Sequence, residues 1–292
     1  QEKFNKQSGL GRSTSAVPNP SISILFFLII TTILLVLKIV LLPSNNIQDF
    51  AKTNTVQTII LIVYVLLLLF GNYLINISIT TELCGGTPQW GTSLIVTFLP
   101  WIVVFGILNA ILLIFPGWLI PFSNTFGYFV VGLFGLKSIF NNEIISDKET
   151  MIKTLDSEQQ ENGVQIGKAL QQIYGNESLL INEIPREGAD EDEKIGNFQK
   201  FFETMQNLNI FKPEDESFKK AKVAIYKLLK IKDYIAEYIW FILAGILVSS
   251  ITYNYIVNVG CNFDSTKMKN SYDKYILEDL GKTSENTEAE NL

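Results

Sequence analysis

Four long apolar runs, each flanked by polar residues, divide this chain. They occupy residues 22–42, 56–79, 94–120 and 235–257. A helix needs about 20 mostly apolar residues to cross a hydrocarbon core of roughly 30 Å, and each run reaches that length. Lipid offers no hydrogen-bond partner, so the backbone N–H and C=O groups of such a run must be satisfied inside a helix. The pattern predicts an all-α fold, a polytopic transmembrane helical bundle with four spans.

A shorter apolar stretch, residues 126–140, follows Pro116 and Pro121. Its length of about 15 residues is below the usual requirement for a full crossing. We interpret it as an interfacial or re-entrant helix, and a fifth span is the alternative.

The distribution of charge predicts the domain organisation. Residues 1–21 form an extended N-terminal arm, and residues 22–140 form a membrane region with three spans and the interfacial helix. Residues 141–233 hold many of the charged side chains and predict a soluble helical insert outside the bilayer. The fourth span covers 234–258, and a polar tail covers 259–292. Because the chain starts with Gln and not with Met, we expect that an upstream segment is missing or has been removed.

The insert shows helical patterns at residues 147–155, 164–174 and 193–209, where apolar side chains recur at i, i+3 and i+4. The acidic segment 187–193 predicts a solvated loop. A docking patch for a basic partner is the alternative interpretation of that segment.

A long helix is predicted to join the insert to the fourth span. Pro213 suits a first helical position, and the acidic residues 214–216 complement the positive end of the helix dipole. No further Pro or Gly occurs before Gly245. We predict a nearly continuous helix from Pro213 into the fourth span, about 65 Å long at 1.5 Å per residue.

Composition excludes several functions. The formal net charge of −6 and the pI near 4.9 argue against nucleic acid as a partner, since phosphate contacts need clustered Lys and Arg. The sequence has no His, which removes imidazole metal sites and His-based catalytic triads. It also lacks GxSxG, HExxH and CxxC motifs, and its carboxylates are scattered. We therefore predict no catalytic residue, no cofactor and no metal.

The cysteines are the first candidate site. Four crossings place the loop at residues 80–93 and the C-terminal tail on one side of the membrane, so Cys84 and Cys261 share that side. We hypothesise a disulfide between them, and two unpaired thiols on one face are the alternative. The lysines at the membrane-proximal ends of the insert favour a cytosolic insert, whereas those of the arm and the tail favour the opposite orientation.

Four residues are predicted to anchor the bundle at the membrane interfaces. Trp101 and Trp118 are 17 residues apart, about 25 Å along a helix, which suits two aromatic belts. Trp240 lies near the start of the fourth span. Lys38 is close enough to the end of the first span for its ammonium group to reach the interface, although an intramembrane charge can also mark an ion path.

Two further polar residues lie in or near the spans. Glu237 is predicted to be interfacial, with pairing to a neighbouring helix as the alternative. Asn109 is predicted to hydrogen-bond between helices and not to bind a substrate.

Two strings carry a resemblance to a known group of proteins. Residues 115–128 read FPGWLIPFSNTFGY, and residues 173–184 read IYGNESLLINEI. Together they resemble a membrane protein of nucleocytoplasmic large DNA viruses, the giant-virus group, over about half of the chain. The resemblance implies an internal membrane component of the virion that links the lipid layer to the icosahedral capsid shell. Its partners would be the lipid bilayer and the capsid or other virion membrane proteins. The thiol oxidases that such viruses encode would permit the disulfide.

The sequence thus favours a structural virion membrane protein. The alternative is an ion channel or small-solute transporter. Transporters commonly contain internal repeats and helices broken at mid-bilayer, and the second half of this chain does not resemble the first.

Overall fold

The structure of this chain is a computed structural model. It describes residues 21–84, 86–146, 177–186, 188, 190–258, 261, 269, 272–273 and 276. In these ranges the elements are helices, and Ile145 and Phe211 form an isolated antiparallel bridge. The predicted helices at 147–155 and 164–174 lie outside the described residues.

Four helices have the length and apolar character needed to cross a membrane. Helix α1 is Ser21–Val40, α2 is Asp49–Leu83, α3 covers 90–114, and α8, which follows the insert, is Glu216–Asn258. The predicted all-α polytopic bundle is confirmed. Apolar side chains on the outer faces of these helices are exposed, as expected for surfaces in contact with lipid.

Helix α3 contains a change of helical type and ends earlier than predicted. Pro100 has no amide N–H, and a π-helical turn, Trp101–Phe105, follows it directly. The helix then continues over Gly106–Ile114. The predicted end of this span at residue 120 was wrong, because Phe115 leaves the helical region with φ −126° and ψ 70°. Pro116 explains the break, since a residue that precedes proline disfavours the α conformation.

Helices α4, Pro116–Leu133, and α5, Leu136–Ile144, meet at an angle of 78°. Gly135 lies at the bend with φ 82°, a left-handed conformation that glycine adopts without strain. The single helix predicted over residues 126–140 was therefore wrong in its bounds, because it starts ten residues earlier and is broken at this glycine. Both helices pack along α8.

The described part of the insert contains two helices, α6, Glu177–Glu183, and α7, Glu191–Asn207. The helix predicted over 193–209 is confirmed with a shift of two residues. Asp190 caps α7, because its side chain accepts a hydrogen bond of 2.8 Å from the backbone N–H of Glu193. Residues 191–193 are thus helical, so the prediction of a loop through 193 was wrong.

Helix α8 confirms the predicted long helix. Its 43 residues make it about 65 Å long. It starts at Glu216 and not at Pro213, because the side chain of Asp215 accepts a hydrogen bond from the N–H of Phe218 at 2.7 Å and fixes the N-terminus there. It continues through Gly245, where an added Cβ would lie 2.0 Å from the ring of Phe27.

The two larger apolar cores of the described residues lie along α8. The bundle core is formed by α1, α2, α3 and the apolar part of α8, with Phe27, Leu68, Trp101, Phe241 and Val248 among its buried side chains. The membrane-proximal core joins the insert, the α1–α2 connector, α4, α5 and the N-terminal half of α8; its buried side chains include Leu42, Phe50, Val131, Phe140, Phe198 and Phe202. The insert therefore shares its core with segments of the membrane region.

Candidate functional site

Cys84 and Cys261 form a disulfide, as predicted, with Cα atoms 5.5 Å apart. Cys84 follows α2 directly, and its N–H donates to the carbonyl of Thr80 at 2.9 Å. Cys261 lies three residues after the end of α8. The bond therefore fastens the α2–α3 loop to the far end of the long helix.

Lys38 is an internal ion-pair partner and not a snorkelling anchor. Its Nζ lies 2.6 Å from a carboxylate oxygen of Glu237 and 5.2 Å from the centre of the Tyr234 ring. Only 8% of Lys38 is exposed. The prediction of an interface anchor was wrong because Glu237, on the neighbouring α8, gives the ammonium group a partner inside the bundle. The alternative interpretation of Glu237, pairing with another helix, is the one observed.

The three tryptophans that were predicted as interface anchors fall into two environments. Trp101 is 3% exposed and packs on Phe27 and Phe105, with ring centres 5.6 and 5.4 Å away, so its prediction as an interface anchor was wrong. It lies on the inward face of the π-helical turn. Trp118 is 53% exposed, and its ring lies 6.3 Å from that of Trp240. This pair joins the start of α4 to the start of the fourth span, and its role as an anchor remains a prediction.

Buried amides and hydroxyls form a polar seam between α1, α2 and α3 near the disulfide. Ser23 donates to Asn72 at 2.6 Å, and Asn76 donates to Thr97 at 2.8 Å. Further along α2, Thr80 is 2.7 Å from Ser93. The sequence analysis missed this seam, although residues 72, 76 and 80 recur at intervals of four and so share one helix face.

Asn109 was predicted to form a hydrogen bond to another helix. The structure shows instead that its Nδ2 donates to the carbonyl of Phe105 in its own helix at 2.7 Å.

A partly buried charged cluster forms where residues of the two strings, 115–128 and 173–184, meet in space. Ser123 and Asn124 come from α4, within residues 115–128, and Asn182 comes from α6, within residues 173–184. Both strings converge on Lys232 and Asp233 of α8. The cluster, which we call the Lys232 cluster, also includes Arg186, which lies just after α6.

Hydrogen bonds connect the members of the Lys232 cluster. Lys232 Nζ donates to the side-chain oxygen of Asn124 at 2.7 Å and to that of Asn182. Arg186 forms an ion pair with Asp233 and donates to Ser123 Oγ at 2.7 Å. Ser123 Oγ in turn donates to Asp233 at 3.0 Å. Two segments that are distant in sequence, α4 and residues 182–186, are thus held at one point on α8.

Gly127 allows α4 to approach the Lys232 cluster closely. A Cβ at this position would lie 2.4 Å from the backbone oxygen of Lys232 and 2.8 Å from its Cγ. Such distances are well below van der Waals contact. Glycine is therefore required sterically at this position.

Burial, and after it the charge of Arg186, lower the pKa of Lys232 to about 7, while the charge of Asp233 opposes both effects. Lys232 is fully buried and lies outside the predicted fourth span. Since Asn124 and Asn182 are neutral acceptors, they satisfy hydrogen bonds of the amine without compensating a charge. The site favours a lysine that is partly uncharged near neutral pH.

A second polar link joins α7 to α8. Glu191 accepts a hydrogen bond from Tyr226 at 2.8 Å and forms an ion pair of 2.7 Å with Lys230. Burial, together with the charge of Glu191, raises the pKa of Tyr226 well above its usual value. The phenol therefore remains protonated and continues to donate to Glu191.

The chemistry of these clusters is that of structural contacts. The hydrogen bonds of the Lys232 amine go to other side chains of this protein, and Lys232 has no exposed surface. No group of three or more His, Cys, Asp or Glu side chains that could hold a metal ion occurs in the part of the chain that the structure describes.

Comparison with known proteins yields no relative. The chain matches no protein-family model, no curated protein and no solved structure.

Proposed function

We propose that this integral membrane protein is a structural component of a virion's internal membrane that links the bilayer to the capsid shell. The observation that carries the proposal is that α8 belongs at once to the bundle core and to the membrane-proximal core. A rigid helix of about 65 Å transmits force and position between lipid and the layer above it without a flexible hinge.

Side-chain contacts support this role by fixing the other elements to α8. The Lys38–Glu237 pair attaches α1, the Lys232 cluster attaches α4 and the chain after α6, and Glu191 attaches α7. These links lie in or next to the two cores, so the insert is held in a defined position relative to the spans. The resemblance of residues 115–128 and 173–184 to giant-virus membrane proteins supplies the proposed location and partners.

The test is the composition and cross-linking of purified particles of a virus that encodes this chain. We expect the protein in the membrane-containing fraction at a copy number similar to that of other structural proteins. Amine-reactive cross-links from exposed insert lysines, such as Lys219 and Lys220, should reach capsid proteins. Absence from the particles would reject the proposal, and cross-links confined to non-structural proteins would reject the capsid link.

An ion channel or small-solute transporter is the second candidate, favoured by the polar groups on both sides of an aromatic layer. Lys38, Glu237 and Tyr238 lie towards the insert, and the polar seam lies towards the disulfide. Between them are the rings of Phe27, Trp101, Phe105 and Phe241. The cavity beside Lys38 measures about 10 Å³, enough for roughly one water molecule, so conduction would require this aromatic layer to move.

A liposome flux assay distinguishes the two candidates. The structural proposal predicts no ion or solute flux above that of protein-free liposomes. Flux that is abolished by Lys38→Met, and retained by Lys52→Met at an exposed ion pair, would favour the channel instead.

A further inference from the structure

A small, partly open cavity with polar and apolar lining lies between α1, α2 and α8. Ser23, Asn76, Ser249, Thr252 and Tyr253 line it, together with apolar side chains. Its volume is about 10 Å³. It lies at the end of the bundle that carries the disulfide, next to the polar seam.

Two hydroxyl groups at this cavity have no hydrogen-bond partner among the described residues. They are Ser249 Oγ and Thr252 Oγ1, and the two residues are 5% and 3% exposed. Serine and threonine in helices commonly donate to the carbonyl four residues earlier. The neighbouring Ser250 does this, donating to Ile246 at 2.8 Å. A buried hydroxyl without a partner is destabilising, particularly where lipid surrounds the helices.

The cavity also offers acceptors on the facing helices. Ser23 Oγ donates its proton to Asn72 and can still accept a hydrogen bond. Asn76 donates from Nδ2 to Thr97, and its carbonyl oxygen has two lone pairs. Donors on α8 therefore face a space that also borders acceptors on α1 and α2.

We propose that this cavity binds a single water molecule, which bridges the hydroxyls of Ser249 and Thr252 on α8 to α1 and α2. The volume fits one water, and the lining offers the two to four polar partners that a buried water needs. A cation is disfavoured, because the polar groups named here are neutral and would leave its charge uncompensated in a medium of low dielectric constant. The inference is independent of the proposed virion role.

Replacing a hydroxyl group by a methyl group of similar size tests the proposal, because the melting temperature should fall if a water is bound and should not fall if the cavity is dry. If Thr252 binds a water, Thr252→Val removes a satisfied hydrogen bond and should lower the melting temperature of the purified full chain by about 2–4 °C. If the cavity is dry, the same substitution removes an unsatisfied hydroxyl and should leave the melting temperature unchanged or raise it. Ser249→Ala should behave like Thr252→Val. The matched control is Ser250→Ala, whose hydroxyl is exposed and bonded within its own helix.

Two direct measurements complete the test. A structure of the purified protein that resolves ordered water should show one density peak within hydrogen-bond distance of both hydroxyls, and the double variant should lose it. No peak in the unsubstituted protein would overturn the proposal. A melting temperature that rises with Na⁺ over choline at equal ionic strength, and does so only when both hydroxyls are present, would also overturn it in favour of a cation.

Discussion

At the scale of single residues, several charged and polar side chains in the interior are paired with partners far away in sequence. Lys38 and Glu237 are 199 residues apart, and Lys232 and Asn124 are 108 apart. Breaking a buried pair at one partner leaves the other charged or polar group without compensation, whereas replacing both can be nearly neutral. The free energy of unfolding should therefore fall more when one partner is replaced than when both are, and this difference shows whether the two side chains are in contact.

We expect Lys38→Met to destabilise the protein by up to about 3 kcal/mol, because it leaves Glu237, whose side chain is only 22% exposed, without its partner. Adding Glu237→Met should recover most of that loss. Unfolding in detergent gives the free energies, and Lys52→Met serves as a control, since the side chain of Lys52 is 79% exposed. A double variant no more stable than the single one would contradict a direct pairing.

Gly127→Ala should destabilise the protein by about 1–3 kcal/mol, because the added methyl group would clash with the backbone of Lys232. Gly132→Ala is the matched control on the same helix, since a Cβ there would meet open space. This control should be neutral or slightly stabilising, as alanine favours helix formation. Equal effects of the two substitutions in thermal unfolding would show that α4 does not approach α8 as described.

The lowered pKa of Lys232 predicts a pH dependence of stability. Between its folded value of about 7 and the ordinary value of 10.5, the unfolded chain binds the proton and the folded chain does not. Stability from this residue should therefore rise with pH across that interval and be constant below it. Melting temperatures from pH 6 to about 9.5 should show a slope that Lys232→Met removes and that Lys220→Met, at an exposed position on the same helix, retains. If the melting temperatures of the Lys232→Met and Lys220→Met variants depended on pH in the same way, the lowered pKa of Lys232 would be contradicted.

At the scale of elements, the helices are defined by breaks whose causes are local. Pro116 ends α3, Gly135 separates α4 from α5, and Asp215 starts α8. Within α8, the stretch that carries Lys219, Lys227 and Lys230 continues into the fourth span without a break. Its integrity depends on burial against the membrane-proximal core, since most of the stability of a helix in a protein comes from the packing of its apolar face and not from propensity.

Limited trypsin digestion should therefore leave α8 intact between Lys219 and Lys232 in the native protein. The same bonds should be cleaved after unfolding in denaturant, which controls for the intrinsic susceptibility of these sites. Rapid cleavage after Lys227 or Lys230 under native conditions would show that the helix opens there.

At the scale of the whole molecule, the disulfide and α8 connect both ends of the bundle. The Cys84–Cys261 bond closes a loop with a sequence separation of 177 residues, and α8 extends from that end to the insert. Because cross-linking restricts the unfolded chain, the bond is expected to stabilise the fold by about 2–4 kcal/mol.

Reduction of the wild-type protein should lower its melting temperature. Replacement of both Cys84 and Cys261 by Ser should lower the melting temperature to the same extent as reduction does. The reductant should have no effect on the double variant, which controls for changes elsewhere. A peptide map under non-reducing conditions checks the pairing directly, and alkylation of both thiols in the untreated protein would contradict it.

The sequence by itself determined the four spans and the continuity of α8, and it placed the two cysteines on one side of the membrane, where the structure pairs them. These features depend on constraints along the chain: a run of apolar residues must form a helix in lipid, and an even number of crossings returns the chain to the same side. The helix ends at Pro116, Gly135 and Asp215 were not predicted correctly, because several nearby residues could also start or end a helix.

Only the tertiary structure decided which face of each helix points inwards. Trp101 and Lys38 have the residue types of interface anchors, yet packing turns both into the bundle, where Phe27 and Glu237 receive them. The Lys232 cluster likewise assembles from segments that have no regular spacing in the sequence. The physical reason is that a polar side chain in lipid needs a partner, and only the packing of the helices decides which partner is within reach.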